Sequence, residues 1–136
     1  MENLKHSEIT GKIIKSFYTV YNELGFGFLE KVYENALAIE LSSLSLEVEL
    51  QRPIAFHYKE ILVGEYFADL VVNDLVIVEL KSAEAISKAH EAQLVNYLKA
   101  TRFEVGLLLN FGKSAEYKRK IFDNQKSTYM SALLDP

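Results

Sequence analysis

The chain has no cysteine, only two prolines and only six glycines among its 136 residues. Without cysteine it has no disulfide framework, no thiolate zinc site and no cysteine nucleophile. The sequence also contains no internal repeat, low-complexity tract or linker, and its length fits one folding unit. A single domain over residues 1–136 is therefore expected.

Long apolar runs are also missing. No stretch approaches the roughly 18 consecutive apolar residues that a membrane-spanning helix needs. The first six residues, Met-Glu-Asn-Leu-Lys-His, lack the basic and then apolar pattern of a secretory signal peptide. We therefore expect a cytoplasmic protein with no membrane partner.

Positive charge is in deficit, since 15 Lys and Arg residues stand against 19 Asp and Glu residues, for a net charge of −4. A nucleic-acid partner would have to be held by a local basic patch or through metal ions, because the overall field repels it. The 49% hydrophobic and 25% charged composition is that of an ordinary globular protein.

Apolar spacing predicts two helices first, over residues 7–24 and 28–43. After these the period shortens and β-branched residues accumulate. Extended segments are predicted over residues 48–51, 54–58, 61–63, 66–72, 75–81 and 105–111. Residues 86–100 are predicted to form a third helix, and residues 114–122 a short basic one. The order indicates a mixed sheet with helices packed on it.

Three charged residues stand inside otherwise apolar strands. Asp69 lies within residues 66–72, and Glu79 and Lys81 end the segment 76–81. Residues two apart on a strand point the same way, so Glu79 and Lys81 share a face. Two carboxylates in a partly buried place repel each other and are best tolerated with a divalent cation between them. Oxygen ligands suit Mg²⁺ or Mn²⁺, and a neighbouring lysine could stabilise charge on a phosphate.

The register of the two strands tests this hypothesis. A strict two-residue turn at Asn73 and Asp74 would set Asp69 opposite Val78, on the other face from Glu79. A shared cation therefore requires an odd-length loop or a bulge, and we expect one that pairs Phe67 with Glu79.

The spacing of Asp69 from Glu79-Leu80-Lys81 resembles the D…ExK signature of the PD-(D/E)xK nuclease superfamily. Gly27, Glu30 and Tyr33 also match the GxxExxY pattern of a small bacterial family within it. The resemblance covers nearly the whole chain and implies a restriction-endonuclease-like core, with a mixed sheet flanked by helices on both faces. Ala68 stands where the motif has proline, which leaves the strand regular.

The resemblance also implies roles for individual residues. Asp69 and Glu79 would be the main ligands of Mg²⁺ or Mn²⁺, joined by the carbonyl of Leu80 and by the carboxylate of Glu30. Lys81 would be the catalytic lysine. The downstream Gln93 and Tyr97 resemble the QxxxY element that positions substrate or metal in exonuclease-like branches.

Helical spacing agrees with these roles. The first face carries Gly27, Glu30, Tyr33 and Glu34 at three- and four-residue steps, and Gly27 would let the backbone approach the sheet closely. The second face carries His90, Gln93 and Tyr97. Both faces could line one cleft, although either tyrosine could instead be a core aromatic with a bonded hydroxyl.

A basic excess near the end of the chain is the candidate contact surface for a phosphate backbone. It comprises Lys113, Lys118, Arg119 and Lys120, with Lys126 beyond. The alternative is the solvated face of an amphipathic helix. No zinc-finger or helix-turn-helix pattern is present, so intrinsic sequence specificity is not expected.

Three functions stay open at this point. The first is a divalent-metal-dependent nuclease that hydrolyses phosphodiester bonds, with DNA as the expected substrate. The second is a non-catalytic regulatory module that binds nucleic acid or protein and keeps the fold. The third is a hydrolase of small phosphate esters. Asp69 and Glu79 with Lys81 could also form a structural ion pair between neighbouring strands. The sequence leaves open whether the chain acts alone, as a homodimer or with a partner protein.

Overall fold

The computed structural model describes residues 5–123, which form three helices and five strands. In chain order they are α1 (Ser7–Leu24), α2 (Glu30–Ser43), β1 (Val48–Tyr58), β2 (Ile61–Val72), β3 (Val76–Lys81), α3 (Lys88–Lys99), β4 (Val105–Phe111) and β5 (Ala115–Ile121). The predicted bounds of α1 and β4 are confirmed, and α2 begins at Glu30 instead of Phe28. Within the described part of the chain, no helix combines the length and the apolar character needed to cross a membrane.

The five strands form one mixed sheet in the order β1-β2-β3-β4-β5. Strands β3 and β4 run parallel, and the other neighbours are antiparallel. A parallel pair needs a crossover connection, and α3 supplies it. The expected mixed sheet with helices on both faces is confirmed.

Two apolar cores lie on opposite faces of the sheet. The first packs α1 and α2 against the sheet, with Phe17 and Leu37 fully buried. The second packs α3 against the other face, through Leu94 and Leu98. Strand β4 is buried along its whole length, as predicted, because both faces of this central strand are covered.

The predicted basic helix over residues 114–122 is wrong, because this segment is strand β5. It turns back after Gly112 and pairs antiparallel with β4, from Phe111 opposite Ala115 to Val105 opposite Ile121. Without β5, the buried strand β4 would leave one row of backbone amides and carbonyls unpaired, which is costly away from water. Strand pairing therefore overrides the helical propensity of its Ala, Glu, Lys and Arg residues.

The predicted break at Arg52 and Pro53 is also absent, since β1 is continuous from Val48 to Tyr58. Because β1 is the edge strand of the sheet, the missing amide hydrogen of Pro53 need not cost a ladder bond. Lys59 and Glu60 form the turn between β1 and β2, and both residues have positive φ, 50° and 67°.

Candidate active site

The site begins where β2 and β3 separate. The two strands pair only from Leu70 opposite Val78 to Val72 opposite Val76, so residues 73–75 form a three-residue turn. The odd-length loop is thus confirmed, but the predicted pairing of Phe67 with Glu79 is wrong. Strand β3 starts one residue later than predicted, and the observed register carries Asp69 to the level of Glu79.

Asp69 lies at an irregular point of the β1–β2 hairpin. Leu50 pairs with Leu70 and Arg52 with Ala68, so Gln51, which has φ of 54°, faces Asp69 between them. Leu70 belongs to the first core and Ala68 to the second, although they are two residues apart. The side chains of β2 therefore change from one face of the sheet to the other at this level. The Asp69 side chain, which lies at the change, belongs to neither apolar core.

The Asp69 carboxylate is anchored to β3. Its Oδ2 accepts a hydrogen bond of 2.8 Å from the backbone amide of Leu80. This contact sets Asp69 beside Glu79, which directly precedes Leu80. The Leu80 side chain itself is buried in the first core.

Glu79 is buried in an unusual state for a carboxylate, with only 3% of its surface exposed. Its Oε2 accepts a 2.7 Å hydrogen bond from the Tyr66 hydroxyl, while its Oε1 is buried without a partner. Burial, followed by the negative charge of Asp69, raises the pKa of Glu79 to about 9. Burial next to a second carboxylate therefore favours the uptake of a proton or a cation by Glu79.

Tyr66 is held in place by α3. Its ring stacks on the ring of Tyr97 with centroids 4.1 Å apart, and burial is the main cause that raises the pKa of both hydroxyls. The predicted site residue Tyr97 is therefore near Glu79, as a buried aromatic in the second core.

The other two residues of the predicted α3 face, Gln93 and His90, form no hydrogen bond with Tyr66 or Glu79 in the described part of the chain. Gln93 is exposed, and its side chain has no hydrogen bond within residues 5–123. His90 belongs to the capping box of α3, where its Nδ1 accepts from the Ser87 amide at 3.2 Å and its own amide donates to Ser87 Oγ at 3.1 Å. His90 is thus the N3 residue of a capping box whose N-cap is Ser87.

Lys81 is half-buried at the end of β3. Val78 and Leu80 pack into the first core and Ile77 into the second, so strand alternation puts Lys81 and Glu79 on the second face together. The Lys81 ammonium forms no ion pair within the part of the chain that the structure describes. It is therefore available to a ligand.

The helix-borne carboxylates divide between two places. Glu30 is exposed, and its Oε2 accepts a 3.3 Å hydrogen bond from Ser82 Oγ just beyond β3. Glu34 is buried, pairs with Lys31, and accepts a 2.6 Å hydrogen bond from Gln51. The same Gln51 amide lies 3.4 Å from Asp69 Oδ1, so Gln51 links Glu34 to Asp69.

Sequence reasoning missed Gln51 and Tyr66 as parts of this network, and it gave Glu34 only a place on the helical face that could line the cleft. The signal for Glu34 is its place on the same helical face as Glu30 and Tyr33, of which Tyr33 and Glu34 are buried and Glu30 is exposed. Gln51 and Tyr66 carried no such signal, since their roles arise from the irregular point of the hairpin and from packing against α3.

The donor set fits a divalent cation in part. Within residues 5–123, no three histidine or acidic side chains are gathered into a ready metal cluster, so Glu30 does not complete one with Asp69 and Glu79. The Asp69–Glu79 pair nevertheless offers hard oxygen ligands and one orphaned buried oxygen. A cation at that oxygen would satisfy it and offset the repulsion between the two carboxylates.

The predicted basic surface is divided by the strand geometry of β5. Lys118 and Lys120 face α3, where Lys120 forms a 2.6 Å ion pair with Glu91. Arg119 faces α1, where it donates to the Lys5 carbonyl and where burial lowers its pKa. Lys113 is exposed in the β4–β5 turn, and the predicted Lys126 lies outside the described residues.

The GxxExxY residues have structural positions as well. Gly27 sits in the α1–α2 connection with φ of 108°, and a Cβ at this position would meet no atom within 4 Å. The expected close approach to the sheet is therefore absent, and the positive φ is what favours glycine. Tyr33 is fully buried and stacks on Phe111 with centroids 4.2 Å apart.

A mixed sheet covered on both faces, with paired carboxylates and a lysine where two strands part, places the protein among the nuclease folds. The family comparison agrees, since the model of the PD-(D/E)XK nuclease superfamily matches residues 7–121. The chain belongs to the PD-(D/E)XK nuclease superfamily.

Two solved structures share the fold at low sequence identity. An alkaline exonuclease from Laribacter hongkongensis, LHK-Exo, superposes with a TM-score of 0.51 and 12% identity over 76% of this chain. A protein named SSO0001 superposes with a TM-score of 0.50 and 13% identity over 94% of this chain. The chain spans 61% and 66% of their respective lengths, less than two thirds of each. No curated protein matches the sequence.

Proposed function

We propose that the protein is a divalent-metal-dependent nuclease that hydrolyses phosphodiester bonds, with DNA as substrate. The observation that carries this proposal is the Asp69–Glu79 pair, where a buried Glu79 oxygen has no partner. The superfamily supports nuclease chemistry, and one structural relative is named as an exonuclease. The Gly27, Glu30 and Tyr33 pattern further supports membership of the GxxExxY family.

Asp69 and Glu79 would hold Mg²⁺ or Mn²⁺, with the Leu80 carbonyl beside them. The bound ion would supply positive charge at the phosphate and lower the pKa of a water, so that the water can lose a proton and its oxygen can attack phosphorus. Asp69 is kept in place by the Leu80 amide, and Glu79 by Tyr66. We also assign Glu30, whose carboxylate accepts from Ser82 Oγ just beyond β3, as a third carboxylate that the bound cation would draw in.

Lys81 would stabilise the negative charge that accumulates on the phosphate as the bond from the attacking oxygen forms and the bond to the leaving oxygen breaks. Its ammonium shares a strand face with Glu79 and has no ion pair among residues 5–123 that would compete for it. Tyr97 acts through Tyr66 as a positioning residue, and Gln93, one turn earlier on α3, would contact substrate from its exposed position. Lys113 and Lys118 are the exposed basic residues that we assign to the phosphate backbone. Lys120, which shares the Lys118 face and pairs with Glu91, would add to them, whereas Arg119 lies on the opposite face of β5.

The test is a cleavage assay on end-labelled single- and double-stranded DNA and RNA, with Mg²⁺, with Mn²⁺ and with chelator. We expect metal-dependent cleavage that Asp69→Asn abolishes. That variant keeps an oxygen able to accept from the Leu80 amide, so it removes charge without removing the anchor. Glu23→Gln, at an exposed position on α1, is the matched control and should cleave like the wild type.

Each other outcome has a defined meaning. Nucleic-acid binding without cleavage would contradict the nuclease and support the non-catalytic module. Turnover of small phosphate esters alone would support the third function. Cleavage that persists in Asp69→Asn would show that the activity does not use this site.

A further inference from the structure

A cavity of about 280 Å³ opens at residues 82–84, which directly follow Lys81 at the end of β3. Its three walls are residues 26–28 between α1 and α2, residues 82–84 after β3, and residues 111–113 after β4. Ser82 directly follows Lys81 and donates to Glu30. The volume lies just below the roughly 300–1,000 Å³ of drug-sized ligand sites, so the cavity can admit a group smaller than a typical drug.

The wall from the α1–α2 connection is unusually apolar for an exposed loop. Phe26 and Phe28 have 56% and 45% of their surface exposed, and the adjoining Leu29 has 81%. A contiguous exposed apolar group next to a polar site indicates a binding surface. The charged lining residues are Lys113 and Glu84, one of each sign, so the cavity is not a phosphate cradle.

Tyr33 holds the Phe28 part of the aromatic wall in place. The Tyr33 hydroxyl donates to the Gly25 carbonyl at 2.6 Å and accepts from the Phe28 amide at 3.2 Å. Its ring also meets the edge of the Phe28 ring, with centroids 6.0 Å apart, and stacks on Phe111. Phe28 is therefore fixed although nearly half of it is exposed.

The other two walls are fixed in the same manner, by side chains bound to loop backbone. The Tyr21 hydroxyl lies 2.8 Å from the Gly112 carbonyl and 2.7 Å from the Lys113 carbonyl. The buried Asn110 side chain donates to the Ala83 carbonyl and accepts from the Ala83 amide, each at 2.9 Å. A cavity with prearranged walls lowers the entropic cost of binding.

We propose that this cavity is a base-stacking subsite, which takes one unpaired nucleobase next to the phosphate that is cut. Phe26 and Phe28 stack on the base, and Lys113 meets the backbone at the rim. Exposed aromatic rings beside a cationic residue are the common means of holding single strands. The inference rests on the proposed nuclease function and names its substrate class as single strands or frayed ends, because a base stacked within a duplex cannot enter.

The chain has no tryptophan, so Phe26→Trp introduces a single indole at the cavity. The full-length protein carrying Phe26→Trp is titrated with a twelve-nucleotide oligothymidylate and with an abasic strand of equal length. Mg²⁺ is present, and Lys81→Ala in the same chain prevents cutting. We expect the thymidylate strand to quench the indole and the abasic strand to leave it unchanged. Ile39→Trp, at a 72% exposed position on α2, is the control and should respond to neither strand.

Affinity provides the second measurement. In the Lys81→Ala background, Phe26→Ala should weaken oligothymidylate binding by roughly 5- to 150-fold, the equivalent of about 1–3 kcal/mol for one stacked base. It should leave the affinity for the abasic strand unchanged. Ile39→Ala should change neither affinity, and both substitutions are at exposed positions where folding is not at risk.

The outcomes separate this inference from the proposed function. If the wild type cleaves nucleic acid while the indole and the Phe26→Ala affinity show no response to bases, the subsite is wrong and the nuclease stands. Equal quenching by the abasic strand would also overturn it. If Phe26→Ala alters the oligomeric state and not strand binding, the surface joins copies of the chain. If the wild type neither binds nor cuts nucleic acid, both proposals fail.

Discussion

Replacing Glu79 by glutamine should change how the stability of the protein depends on pH. The folded protein keeps a proton on Glu79 up to a pKa of about 9, because the carboxyl is buried beside Asp69. The unfolded chain releases that proton near the ordinary value of 4.5. Between these values the folded state binds more protons than the unfolded state, so stability falls as pH rises.

The expected slope follows from one proton. Each pH unit within that window lowers the free energy of unfolding by about 1.4 kcal/mol, so the wild type should lose roughly 2–3 kcal/mol between pH 5.5 and 7.5 through this group. That is a large part of the roughly 5–15 kcal/mol that stabilises a domain. A neutral glutamine has no such titration, and its carbonyl oxygen can still accept from Tyr66.

The assay is urea unfolding followed by circular dichroism at several pH values, with chelator present so that the proton alone neutralises the site. The difference in unfolding free energy between Glu79→Gln and the wild type should rise steadily with pH. Glu23→Gln, exposed on α1, should give a curve parallel to that of the wild type. Parallel curves for Glu79→Gln as well would refute the account of a buried, protonated carboxyl.

Three further predictions concern the site and its supports. Lys81→Ala should leave Mn²⁺ affinity within about twofold by calorimetry and lower the cleavage rate roughly 100-fold or more; a lost affinity would mean that its role is misassigned. Gly112→Ala should lower the free energy of unfolding by about 1–3 kcal/mol in urea, because its Cβ would lie 2.2 Å from the Ala83 carbonyl oxygen. The control Gly64→Ala, whose Cβ would meet no atom within 4 Å, should change that free energy by no more than about 0.5 kcal/mol. Tyr33→Phe should cost roughly 1–3 kcal/mol, since the Phe28 amide loses its acceptor and the Gly25 carbonyl its donor; an unchanged unfolding midpoint would argue against the clamp.

The elements with a strong apolar period could be predicted from the sequence. Helix α1 and strand β4 appear at the predicted bounds, because the apolar pattern within each segment is enough to determine which of its side chains are buried. Strand β5 could not be predicted from local pattern, because the preference for an extended segment comes from the open edge of β4. A sequence window around Tyr117 contains no information about that edge.

The site likewise contains residues that could be predicted from local sequence and contacts that could not. Asp69, Glu79 and Lys81 stand out because charges interrupt apolar strands, and β3 presents Glu79 and Lys81 on one face as expected. The register that brings Asp69 to Glu79 could not be fixed in advance, since it depends on a three-residue turn whose first two residues have positive φ. The Gln51 link and the Tyr66 hydrogen bond arise only once distant segments pack.

The central claim is that Asp69 and Glu79 together hold the divalent cation of the proposed nuclease. Crystals of the wild type and of Asp69→Asn soaked in Mn²⁺, with anomalous data collected at the manganese edge, test it most directly. We predict one strong peak between the two carboxylates of the wild type, in contact with Glu79 Oε1, and none at that place in the variant. A peak bound elsewhere in the wild type, or none at all, would contradict the claim.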